Sequence, residues 1–160
     1  MKKLCLVAIL ALFGLNVSAQ NNDDGGFYGG INAGLPVGDF SEYYSFAFAV
    51  DVGYTCDIDD DINIGVESGY TNFLGKDNFG GFSFLPIAGI AEFSVSDEVD
   101  LEGGAGYAIS LESGGGGDFY WKIGGTYDLS DDDEVVLSYR SLSSNGSSLS
   151  GVFLGYRRNF

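Results

Sequence analysis

From residue 27 onward, large apolar residues occupy every second position of the chain and small or polar residues the positions between. A period of two belongs to extended strands, whose side chains point alternately to the two faces of a sheet. Phe27, Gly29, Ile31, Ala33, Leu35 and Val37 share one face; Tyr28, Gly30, Asn32, Gly34 and Pro36 share the other. The pattern recurs over 46–56, 62–71, 85–95, 99–111, 119–129, 135–141 and 151–160. Eight such segments predict eight β-strands, and none has a helical period. The expected connections at 57–61, 96–98 and 130–133 are short and acidic. Those at 39–44, 75–81, 112–118 and 143–147 are longer and rich in Gly, Ser and aromatics. Tight turns at one end and looser loops at the other describe an antiparallel up-and-down meander.

Such a meander can close with its apolar face inside, as in a soluble lipocalin-like binder, or outside, against lipid. Charge decides between them. The aromatic and aliphatic face carries only Arg158, near the C-terminus. The opposite face carries Asp51, Glu67, Glu92, Asp100, Glu102, Lys122, Asp128, Arg140 and Arg157. On a lipid face Arg or Lys costs about 2–4 kcal/mol at mid-bilayer and little near the interfaces. The charged face is otherwise small, dominated by Gly, Ala, Ser, Thr and Asn. That suits the lumen of an eight-stranded barrel, which side chains can fill. The expected fold is therefore all-β: an eight-stranded antiparallel up-and-down transmembrane β-barrel. Spanning strands need about 9–11 residues, and closure pairs the backbone groups that lipid cannot. Tyr44, Tyr54, Tyr70, Tyr107, Trp121, Tyr127, Tyr139 and Tyr156 are expected in the aromatic girdles.

The first nineteen residues read differently. Lys2 and Lys3 precede an apolar core at 4–15, and Val17-Ser18-Ala19 is a small-residue cleavage site. This predicts a signal peptide over 1–19, cleaved before Gln20, and a barrel domain over 20–160. Cys5 would leave with the signal, and Cys56 alone forms no internal disulfide. The net charge of −16 disfavours nucleic acid as a partner. The chain has no histidine, which removes His-based triads and His-ligated metal sites.

Gly26-Phe27-Tyr28-Gly29-Gly30-Ile31-Asn32-Ala33-Gly34-Leu35-Pro36-Val37-Gly38-Asp39 resembles the first strand of the small outer-membrane β-barrel domain family, the OmpA/OmpX-like "porin family". Phe84-Leu85-Pro86-Ile87-Ala88 and Glu102-Gly103-Gly104-Ala105-Gly106-Tyr107 are similar to that family too. Gly155-Tyr156-Arg157-Arg158-Asn159-Phe160 resembles its C-terminal strand, which ends in an aromatic, although Arg158 stands where that pattern has a hydrophobic residue. The resemblance implies export to the outer membrane of a diderm, Gram-negative bacterium. It also implies lipid and lipopolysaccharide as surroundings, and an insertion signal at Tyr156 and Phe160 read by the barrel-insertion machinery. Enzymes of this size class in that membrane, lipid A deacylases and acyltransferases, resemble Ser–His–acid arrangements; without histidine, no enzyme is expected here.

Asp51, Glu67, Glu92, Glu102, Lys122, Arg140 and Arg157 form the expected lumen charge network. Read one way it is an ion-paired plug; read the other it is the constriction of a narrow, cation-preferring channel for small solutes. Phe40, Tyr43, Tyr44 and Phe79 are the external-loop contact candidates, beside a glycine-rich tip at 114–117. The carboxylates at 57–61 and 131–134 lack the spacing of a calcium loop and are expected to be solvated turns; Asn145-Gly146 is a hairpin signal. The expected protein is a monomer without metal or cofactor, in a structural or surface-interaction role.

Overall fold

The computed structural model describes residues 25–160 except Asn78, Asn145 and the Ser144 side chain; the expected signal peptide lies outside the described residues. Eight strands follow one another: β1 (Gly26–Val37), β2 (Tyr44–Asp59), β3 (Ile62–Gly75), β4 (Phe82–Ser96), β5 (Val99–Ser110), β6 (Gly117–Asp128), β7 (Asp133–Ser144) and β8 (Ser147–Asn159). Each pairs antiparallel with the next, and β8 returns to β1, from Tyr28↔Asn159 to Val37↔Ser150, so the sheet is a closed barrel. Closure leaves no strand edge. The strands run to 12–16 residues, beyond the ~9–11 that a tilted strand needs to cross a bilayer.

Connections at 60–61, 97–98 and 129–132 gather at the end that holds both described termini, hereafter the lower end. Those at 38–43, 76–81 and 111–116 form the upper end, together with the β7–β8 turn. That turn is a correction. The long loop expected over 143–147 is a hairpin pinned by Ser144↔Ser147, because the two strands stay paired to their tips. Of the Asn145-Gly146 signal, Asn145 lies outside the described residues, and Gly146 has φ +88°. Each of the other upper loops also bends through a left-handed residue, at Gly38, Asp77 and Gly114. Glycine enters that region without a Cβ clash, and Asp is among the few residues that tolerate it.

The outer surface is the apolar face. Ile31, Leu35, Val66, Ile87, Leu101, Ile123, Leu137 and Leu154 are exposed large hydrophobics. A belt of this size belongs in hydrocarbon, not water. Near the loops it gives way to polar pairs: Asn72 donates to Ser83 (2.7 Å), and Tyr70 lies 3.0 Å from the same hydroxyl. Near the lower turns Tyr127 donates to Glu98 (3.2 Å) and Tyr156 to Asp133. Arg158 pairs with Asp133 there (3.1 Å), at the rim rather than inside the belt. Rings with one wet end belong at such boundaries.

Pro86 has no N–H to give, and the β3–β4 register passes from Ser68↔Ile87 to Thr71↔Phe84 around it. The Ser68 hydroxyl donates to the Pro86 carbonyl at 2.9 Å.

Candidate functional site

The inward faces of all eight strands meet in a filled lumen, in two layers. In the lower layer Lys122 on β6 lies 2.6 Å from Glu67 on β3 and 3.1 Å from Glu102 on β5. Arg157 on β8 reaches Glu102 (2.5 Å), Glu92 on β4 (2.8 Å) and Glu134 on β7 (3.3 Å). Arg140 on β7 donates from both terminal nitrogens to Asp51 on β2, at 3.0 and 2.7 Å. This fork-to-fork geometry is the strong form of a carboxylate pair. Its Nε donates to Ser138. Tyr28 donates to Glu67 and Asn32 to Asp51, both at 2.8 Å. The Arg157 guanidinium lies 4.3 Å above the Tyr28 ring, and that of Arg140 lies 4.9 Å from the Phe153 ring. Even Glu92, at 12 %, shows little of its side chain.

All seven residues expected in the lumen network point inward, in two groups: Asp51 with Arg140, and Glu67, Glu92, Glu102 and Lys122 with Arg157. Asp100 and Asp128 stand lower, at the rim: Asp100 accepts weakly from Thr126 (3.4 Å) and joins none of the cross-barrel pairs. Three members were not expected. Glu134 reads as turn acid in the sequence, yet it is buried and shares parity with Val136; parity counted back from β7 finds it. Tyr28 and Asn32 sit on the small face of β1, and their hydrogen-bonding ends carry them into the network.

The upper layer contradicts the expectation of an inner face made of small and polar residues. Tyr44, Phe73, Phe84, Tyr120, Leu142, Leu149 and Phe153 form one buried apolar cluster inside the barrel. Phe73 stands at right angles to Phe153 (6.1 Å between ring centres) and stacks on Phe84 (6.3 Å); Phe84 tilts against Tyr120 (6.2 Å). Offset and edge contacts of this kind are the favoured ring geometries. Inner glycines make the room. A Cβ on Gly34 would lie 2.5 Å from the Phe153 ring, and one on Gly53 would strike the Tyr28 ring.

Of the loop candidates, Tyr43 and Phe79 are exposed and touch each other at 4.9 Å. Tyr44 is a correction. A register shift between Tyr44 and Phe46 reverses parity at the top of β2 and turns its ring into the barrel, against Phe73. It is therefore neither a loop-surface contact nor a girdle residue. Phe40 is half-buried, packed down against the same cluster. Tyr156 and Phe160 lie on the outer face, and the Phe160 N–H donates to the Phe27 carbonyl, extending the β8–β1 seam.

No protein-family model matches the chain, and no curated protein matches it by sequence. Solved structures do. The chain is similar to Ail, the attachment invasion locus protein of Yersinia pestis, at 14% identity and TM-score 0.62, over 86% of this chain and 98% of that one. Ail has also been crystallised with the heparin analogue sucrose octasulfate. The chain is also similar to Neisserial surface protein A at 18% identity and TM-score 0.55, over 84% of this chain and 97% of that one. A de novo designed transmembrane β-barrel superposes at 16% identity and TM-score 0.59, over 88% and 100% of the two chains. The architecture is that of an eight-stranded transmembrane β-barrel.

Proposed function

We propose that the chain is a small outer-membrane β-barrel of a diderm bacterium, exported by the signal peptide read at 1–19. In this reading it acts in a structural or surface-interaction role, as a monomer, and catalyses nothing. One observation carries the reading: the lumen is filled twice over, by an ion-paired layer and by a ring layer above it. A filled lumen leaves the outside as the working surface. Lipid and lipopolysaccharide surround the belt, the barrel-insertion machinery reads Tyr156 and Phe160, and Tyr43 and Phe79 meet external partners.

Two of the structural neighbours are named for attachment and for the bacterial surface, and their fold supports the outer membrane as the location. The polyanion that Ail was crystallised with suits this chain poorly. The upper loops carry Asp39, Glu42, Asp77 and Glu112 against Lys76, so they favour cationic or neutral partners.

The second reading, a cation-preferring channel, draws on the same layer. Asp51, Glu67, Glu92, Glu102 and Glu134 outnumber Lys122, Arg140 and Arg157, so any path through it would favour cations. Planar-bilayer recording separates the two. The occluded barrel gives no reproducible steps, whereas cation-selective steps abolished by Glu67→Gln or Glu92→Gln would make it a pore.

A further inference from the structure

Above the ring layer the barrel opens into a cup of about 390 Å³, lined by Phe40, Tyr44, Phe82, Leu142 and Leu149, with Asp118 and Ser147 as its polar members. Its volume falls within the ~300–1,000 Å³ of small-molecule sites. Phe40 and Phe82 pack against the buried cluster that holds Phe73 and Phe153, so the cup is backed by filled lumen. Its walls are braced: Tyr44 packs edge-on against Phe73 and Phe79, and Phe82 tilts against Phe84 at 5.9 Å.

One group does not match these surroundings. Asp118, the second residue of β6, puts a half-buried carboxylate into a mostly apolar cup that holds one other polar side chain, Ser147, and it has no hydrogen-bond or ion-pair partner among the described residues. Other charges nearby are engaged. Asp39 accepts from the Ser148 N–H and Glu112 from that of Ser83, both at 3.3 Å. Lys76, the one cation of the upper loops among the described residues, donates to the Ser41 carbonyl at 3.0 Å.

We propose that this cup binds a methylated ammonium group. Aromatic faces attract cations through the ring quadrupole, most strongly where the site is desolvated. Phe40, Tyr44 and Phe82 supply the faces and Asp118 the counter-charge. The Leu142 and Leu149 side chains favour a weakly hydrated, methyl-covered cation over a bare ammonium, which would give up more water to enter. The acidic loops above raise the local concentration of cations and repel anions. The inference deepens the surface-interaction reading and rests on it for the side of the membrane from which the ligand arrives.

The test uses the full barrel in alkyl-maltoside micelles, which contain no ammonium head group. Choline is titrated beside its neutral carbon isostere 3,3-dimethylbutanol, with binding read by calorimetry and by shifts of Asp118 and Tyr44 resonances. Choline saturates the site, and the isostere binds roughly tenfold more weakly or worse. Asp118→Asn and Phe40→Leu each weaken choline about fivefold or more, and Asp118→Asn does so with thermal unfolding unchanged. Weaker binding of phosphocholine than of choline identifies a free cation as the ligand, and equal or tighter binding identifies a lipid head group; either supports an ammonium site. Equal binding of the isostere, an Asp118→Asn barrel that binds like the parent, or no saturable binding overturns it. Failure here with a silent bilayer leaves the surface role standing. Choline binding by a conducting barrel removes that role and keeps the site.

Discussion

The lower half of the lumen is filled by charges and the upper half by rings, and the two fillings respond to damage in different ways. In the lower half, Asp51–Arg140, Glu67–Lys122 and Arg157 with its three glutamates join strands far apart in the chain. Apart from Arg157–Glu134, which spans the neighbouring strands β7 and β8, they can form only once the barrel has closed. Their attraction is offset by the water each ion gave up, so the intact layer adds little net stability. A broken layer is another matter, because the abandoned partner stays charged and dry. In the upper half each ring contributes by its own buried area, about 1.5–3 kcal/mol per side chain. Losses there are graded, and the steric limits are set by glycine.

The largest expected effect is therefore in the charged half. Arg157→Ala leaves Glu102, Glu92 and Glu134 facing one another and costs about 3–5 kcal/mol. Urea or thermal unfolding in vesicles reads the loss, while the heat-modified gel mobility still reports insertion. An unchanged melting profile would break the contrast. A smaller effect is expected in the upper half. Gly34→Ala sets a methyl 2.5 Å from the Phe153 ring, which is hemmed in by Phe73, and costs about 1–3 kcal/mol. Because Phe153 also meets Arg140, its ring resonances should shift together with the Arg140 side-chain signal. The smallest effect belongs at the seam between the halves. The Tyr120 hydroxyl is buried there with no hydrogen-bond partner among the described residues. Tyr120→Phe removes only that hydroxyl, and stability should stay within about 1 kcal/mol of the parent or rise. A loss of several kcal/mol would mean that the hydroxyl belongs to the charged layer.

The barrel was legible in the sequence because a period of two survives any twist or tilt: Ile31 and Ile87 declare their face from their neighbours alone. The seven lumen charges followed from the same parity. The ring layer was not legible, for two reasons. Phe73 and Phe84 lie just beyond the clearly alternating stretches 62–71 and 85–95, since β3 runs on to Gly75 and β4 starts at Phe82. Tyr120 and Phe153 had the right parity but were outnumbered on their face by glycine and serine. Tyr44 was misplaced because a single-residue register shift inverts parity and leaves no mark on composition. Pairings across the barrel were also beyond reach, as alternation fixes the face of a residue but not its height.

The whole account depends on the outer face meeting hydrocarbon, and the chain carries its own probe. Trp121, its sole tryptophan, lies on that face of β6, packed on Tyr139 at 5.3 Å. In vesicles containing acyl-chain-brominated lipid its fluorescence should be strongly quenched, and aqueous iodide should leave it nearly untouched. Strong quenching by iodide with no response to the brominated chains would contradict the account.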